Sequence, residues 1–114
     1  MRPVLHGDVS AAARVLLRVP HAAREALCRQ MLDEAQLADD YAQKHGRTHP
    51  RYGNGSLMGA ARKRALAPEP SFDNRDYCRC MALVLLIVAT RLSAPIDPKR
   101  PTVPDLIRDL LPHS

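Results

Sequence analysis

Apolar residues recur along most of this chain at helical rather than strand spacing. Val9, Ala12, Ala13, Leu16 and Leu17 share one face of a first helix over about residues 9–18, with Asp8 placed to cap it. Pro20 ends that segment and, because proline is tolerated in a first turn, opens the next. The second helix, about 20–45, keeps its period through Ala23, Leu27, Met31, Leu32, Ala35, Ala38 and Tyr41, and Gly46 stands where a left-handed residue closes a helix. Residues 46–55 break the pattern with Pro50 and the turn signal Gly53-Asn54-Gly55. Ser56 caps a short helix of about 57–66 carrying Leu57, Met58, Ala60, Ala61 and Leu66, and Pro68 and Pro70 mark a second connection. Asp73 is the expected cap of a fourth helix, about 74–92, with Asp76 in its first turn beside the exposed amides. That helix is apolar nearly all round between Cys80 and Ala89, which predicts a central position.

The segment from Ser93 onward holds five of the ten prolines. Thr102-Val103-Pro104-Asp105 reads as a helix start, and Leu106, Ile107, Leu110 and Leu111 form an apolar stripe over 103–111. This stripe suits docking into a partner's groove or, the preferred reading, folding back over its own core. The expected fold is all-α. It is a single small bundle of four helices over 1–92, plus a short C-terminal helix after a Pro-rich linker within a tail of 93–114.

Composition narrows the class. At 114 residues one domain is expected, long enough for a real core without staples. Aromatics are only 4% and Trp is absent, which argues against a base-stacking platform. Three cysteines, Cys28, Cys78 and Cys80, cannot all pair within one chain; with no apolar run like a secretory signal near Met1, they point to a reducing cytoplasm. The most apolar stretch, Met81 to Ala89, falls far short of the roughly 20 residues that span a bilayer, so no membrane segment is expected.

Charge is unevenly placed. The formal net charge is +5, yet residues 44–64 carry six Lys or Arg and no carboxylate, while the remainder holds eleven Lys or Arg against twelve Asp or Glu. This segment is the first candidate site. Asn54, Gly55 and Ser56 are placed to offer amides at a helix start, while Arg47, His49 and Arg51 converge on a phosphate or carboxylate. In the plainer reading, Gly53 and Gly55 only supply positive φ and the cations are solvated. No Gly-Lys-Ser/Thr follows and no strand precedes, which excludes a P-loop and a dinucleotide fingerprint. Arg62, Lys63 and Arg64 would fan over roughly 200° of a helix, suiting phosphates better than one base edge. Asp33, Glu34, Asp39 and Asp40 on the second helix are an acidic counterpart able to neutralise them internally. The ten-residue gap also exceeds the three or four residues of a helix-turn-helix turn.

Other chemistry is sparse. Cys78 and Cys80, two apart on a helix, point about 200° from each other and cannot easily share a metal ion. Cys78 with His49, or Asp33 with Asp40, lacks a spacing that demands catalysis, so no catalytic set, metal or cofactor is assigned. Two stretches together, Pro3-Val4-Leu5-His6-Gly7-Asp8-Val9 and His49-Pro50-Arg51-Tyr52-Gly53-Asn54-Gly55-Ser56-Leu57-Met58 with Asp76-Tyr77-Cys78-Arg79-Cys80, resemble short, uncharacterised alphaproteobacterial proteins classed as a domain of unknown function. The resemblance covers about 1–92 and implies a bacterial cytoplasmic setting and a meeting of Asn54, Tyr77 and His49, with no activity or cofactor. The function expected is a cytoplasmic helical adaptor or regulatory protein. It would bind an anionic macromolecule, nucleic acid or an acidic protein surface, through Arg47, His49, Arg51, Asn54, Ser56, Arg62, Lys63 and Arg64. The alternatives are a small enzyme or ligand-binding protein taking a phosphate or carboxylate at the glycine-rich loop, with a pocket where it meets Tyr77 and Cys78, and a structural subunit that oligomerises through the fourth helix.

Overall fold

The computed structural model describes residues 1–92, which form four helices: α1 (His6–Leu16), α2 (His21–His45), α3 (Leu57–Ala61) and α4 (Arg75–Leu92). The all-α class expected from periodicity is found, and the expected linker and 103–111 helix lie outside the described residues. Each helix start shows how local chemistry sets its boundary. α1 begins a turn earlier than expected, with Leu5 at the cap and Asp8 as the third helical residue, its Oδ2 accepting the Leu5 amide at 2.8 Å. A carboxylate inside the first turn satisfies an orphan amide from within. At α4 the cap is Asn74, not Asp73: Asn74 Oδ1 accepts the Tyr77 amide at 2.9 Å. Gly46 closes α2 in the left-handed region at φ 68°, as expected. α3 stops at Ala61 rather than about residue 66, because the Lys63 and Arg64 amides bond three residues back to Ala60 and Ala61 and the chain then leaves the helix.

The central helix is α1, not α4. Ala11, Ala12 and Ala13 are at most 4% exposed. Their small side chains let α2, α3 and α4 all approach, whereas α3 and α4 do not touch each other. α4 buries only one face, Tyr77, Cys80, Met81, Val84, Ile87 and Val88, and leaves Leu85 in solvent. Leu16, Leu32 and Leu57 are at most 1% exposed, each burial contributing about 1.5–3 kcal/mol.

Arg24 corrects the first turn of α2, where Ala23 is exposed and Arg24, with Cys28 one turn on, faces inward. Its Nε donates to the carbonyls of Leu16 (2.9 Å) and Val19 (3.2 Å), closing the end of α1. Its two Nη atoms hold both oxygens of Asp76 at 2.7 and 2.9 Å. One side chain therefore ties the end of α1 to the starts of α2 and α4.

Candidate functional site

The connection between α2 and α3 is folded around its own polar side chains. The amides of Arg51 and Tyr52 both donate to His49 Nδ1 at 3.0 Å, and His49 and Gly53 exchange backbone hydrogen bonds. The His49 ring stacks on Tyr52 at 5.0 Å and meets Tyr41 edge-on at 4.8 Å. Asn54 Oδ1 accepts from the Ser56 amide (3.0 Å) and the Ser56 hydroxyl (2.6 Å). Ser56 Oγ in turn accepts the Gly59 amide at 3.0 Å, capping α3 as expected. Gly55, at φ 91°, lies so close to α2 that a Cβ there would sit 2.8 Å from Asp39 Cα, so the chain demands glycine for both reasons.

At the start of α3 one backbone amide, that of Met58, already meets an anion, this chain's own carboxylate. Asp8, 6% exposed, places Oδ1 2.9 Å from the Met58 amide while its other oxygen caps α1. One anion thus serves two helix starts, the arrangement a bound phosphate or carboxylate would otherwise adopt. His49, Asn54 and Ser56 accordingly act as scaffold, through atoms already bonded within the chain.

The cations divide into two sets. Arg64 is held by Glu34 through two bonds of 2.9 and 2.6 Å and also donates to the Ala60 carbonyl. Those bonds hold the Glu34 carboxyl below the usual range. Of the other acids of α2, Asp33 pairs with Arg91 (2.5 Å), Asp39 with the amino group of Met1 (2.9 Å), and Asp40 accepts from Gln36. The acidic counterpart foreseen in α2 therefore neutralises only Arg64 of the basic run. Arg47, Arg51, Arg62 and Lys63 are exposed and have no polar side-chain partner among the described residues. Their side chains share no bonded group with one another or with the His49 side chain among the described residues.

A concave feature of the described residues lies apart from the junction of loop, Tyr77 and Cys78. A cleft of about 170 Å³ opens between α1, α3 and residues 62–69, lined by His6, Ser10, Arg14, Met58, Arg62 and Glu69 among others. At its floor Ser10 Oγ donates to Glu69 Oε1 at 3.2 Å and accepts from the buried Tyr77 hydroxyl at 2.8 Å. Arg14 Nε donates to the Ala67 carbonyl at 2.7 Å, and the Ala67 amide returns a bond to the Arg14 carbonyl. Tyr77 therefore bonds Ser10 and stacks on Phe72, and no hydrogen bond or ring contact joins it to Asn54 or His49 among the described residues. Cys78 Sγ donates to the Phe72 carbonyl at 3.1 Å. The sequence carries a signal for this cleft: His6, Ser10 and Arg14 are a polar stripe at i, i+4, i+8 on an otherwise apolar helix. Chemically the cleft sets two guanidinium groups against one carboxylate, a mixed polar surface.

No helix of the described residues is long and apolar enough to cross a membrane. Neither a curated protein nor a solved structure matches the chain. A family model does, over residues 2–88, which agrees with the extent expected from the Pro3–Val9 and His49–Cys80 stretches. The chain therefore belongs to the family described as Domain of unknown function (DUF7742).

Proposed function

We propose that this protein is a small helical adaptor or regulatory protein, a compact bundle with a proline-rich tail, that captures an anionic macromolecule. Its contact set is narrower than the basic run as a whole: Arg47 and Arg51 from the loop, Arg62 and Lys63 from the end of α3. The observation that supports this reading is that these four side chains are exposed and unpaired among the described residues, although four acids stand on neighbouring α2. Unpaired guanidinium and ammonium groups on a short segment attract phosphates or carboxylates without a fixed register. His49, Asn54 and Ser56 hold the loop in shape, and Arg64 is committed to Glu34.

The test is a salt titration of binding by fluorescence anisotropy, with a labelled DNA duplex in one arm and an acidic polypeptide in the other. If the partner is nucleic acid, log affinity falls with log salt by about −0.9 per phosphate contacted. Four contacts would then give a slope near −3.6. The R47A/R51A/R62A/K63A variant should flatten that slope, and E34Q, which releases Arg64, should steepen it. Preference for the polypeptide arm would assign the edge to an acidic protein surface. No binding in either arm at low salt, or a slope the quadruple variant leaves unchanged, would remove this edge from any interface.

A further inference from the structure

We infer that the end of α2 and the loop after it form a stacking platform for a single-stranded nucleic acid, a reading that rests on the capture of an anionic macromolecule proposed above and names its partner. Aromatic residues are scarce in the sequence, yet folding gathers two of the three tyrosines and two of the five histidines into one run of rings. His45 tilts onto Tyr41 at 4.3 Å between ring centroids, Tyr41 meets His49 edge-on at 4.8 Å, and His49 stacks on Tyr52 at 5.0 Å with planes 19° apart. The fold sets this order. Tyr41 and His45 lie one turn apart on α2. His49 Nδ1, by accepting the Tyr52 amide at 3.0 Å, fixes the loop that brings the other two rings alongside.

Three features select this partner. His45, at one end of the run, is exposed and meets Tyr41 alone among the rings of the described residues, so its ring is not consumed in bracing the loop. Tyr41, His49 and Tyr52 are half-buried, which leaves part of each ring in water. Charge matches a phosphate chain. Lys44, Arg47 and Arg51 are exposed, alternate with the rings along the sequence, and pair with no acid among the described residues. Residues 41–68 contain no carboxylate, and the acids just before them, Asp39 and Asp40, are engaged by the Met1 amino group and by Gln36. A base offers its π-face to such rings and its phosphate a charge to such cations. An acidic side chain offers only the charge. A duplex already spends its base faces on its own stacking and presents its phosphates instead.

The test uses the full chain and fluorescence anisotropy with probes of equal length: oligo(dT), oligo(U), a DNA duplex and a sugar–phosphate oligomer without bases. At least one single strand should bind tighter than the duplex and the base-free oligomer, by about 5- to 150-fold for each base stacked. The better of oligo(dT) and oligo(U) tells which sugar the platform favours. H45A and Y52L should each lower single-strand affinity by a factor in that range and leave the base-free oligomer unaffected. The ring-keeping variants H45Y and Y52F should hold wild-type affinity. Should Y52L lose its helical circular dichroism, H45A and its rescue by H45Y decide the matter. Equal binding of all four probes, or wild-type affinity in H45A, would overturn the inference and leave an electrostatic edge without stacking. Binding of an acidic polypeptide alone would overturn it and keep the proposed capture, whereas no binding of any polyanion would remove both.

Discussion

Removing Asp8 should cost far more than the loss of an ordinary surface carboxylate, because it releases two helix starts at once. The residue is 6% exposed, and its two oxygens hold the Leu5 amide at 2.8 Å and the Met58 amide at 2.9 Å. In Asp8→Ala both donors lose their acceptor. A buried donor left unsatisfied costs about 1–3 kcal/mol. Leu5 is largely exposed, so water partly replaces its partner; Met58 lies deeper. The sum expected is about 2–3 kcal/mol. Asp8→Asn should fall between wild type and Asp8→Ala, since the amide side chain offers one acceptor oxygen and turns its NH2 toward the other donor. Urea unfolding followed by far-UV circular dichroism reads these differences, with an unchanged denaturant slope as the check that the unfolded state is the same. The sharper assay is chemical rescue. The space vacated in Asp8→Ala borders two helix starts, so formate should restore part of the lost stability. Sodium chloride at equal ionic strength should not, and wild type should not respond, because ligand binding stabilises only a protein with the vacant site. An Asp8→Ala protein within about 0.5 kcal/mol of wild type, or one that formate and chloride affect alike, would refute the claim that this carboxylate fills an anion site.

Arg24→Ala should destabilise by about 3 kcal/mol, since it strips the Leu16 and Val19 carbonyls of their donor and leaves Asp76 without its partner. Hydrogen bonds from Arg24 hold the Asp76 carboxyl below the usual range. Their contribution is therefore fully present above the unfolded value near 3.9 and is lost as pH falls through the lower folded one. Asp76 is 41% exposed, so screening by water limits that part to about 1 kcal/mol. Unfolding at pH 7 and pH 3 should show the Arg24→Ala difference shrinking in acid. Gly55→Ala should cost about 2–4 kcal/mol, because positive φ adds to an approach of 2.8 Å to Asp39 Cα. Gly46→Ala, at φ 68° with open space around it, should cost about 1 kcal/mol; calorimetry giving the reverse order would exclude this packing. Burial pushes the Cys28 thiol up to about 12 and the Cys80 thiol up to about 11. A thiol reagent at pH 8 should then modify the native protein at Cys78 alone and reach all three after unfolding, with mass spectrometry reporting the sites.

The helices were legible because the 3.6-residue period of buried positions survives in the sequence, and turn and cap residues punctuate it. Phase was harder. In α2 an alanine at position 23 looks like core and an arginine at 24 like surface, yet Arg24 turns inward because the carbonyls ending α1 and the carboxylate of Asp76 await it. Hydropathy also misassigned the centre. α4 is apolar nearly all round, but large side chains keep neighbours at a distance, whereas Ala11, Ala12 and Ala13 allow three helices to close on α1. The relevant signal was residue size, which an apolar count ignores.

The surroundings of the candidate site were only partly legible for a related reason. A start of helix flanked by glycines and cations has the right electrostatics for an anion, and sequence supports that much. It cannot show that a carboxylate fifty positions earlier reaches the Met58 amide of that helix, because that depends on α1 and α3 lying side by side. Local competition was more foreseeable: short polar side chains such as Asn54 and Ser56 bond readily to nearby backbone, so their own turn is a strong rival to any ligand. The same logic sorts the cations. Arg64, whose guanidinium reaches the partly buried Glu34, becomes part of the fold. Arg47, Arg51, Arg62 and Lys63, exposed and paired with no acid among the described residues, keep their charge available. Which positive charge is structural and which is available is thus decided by where the acids of α2 are already engaged, a property of the packed helices and not of the run Arg62-Lys63-Arg64 itself.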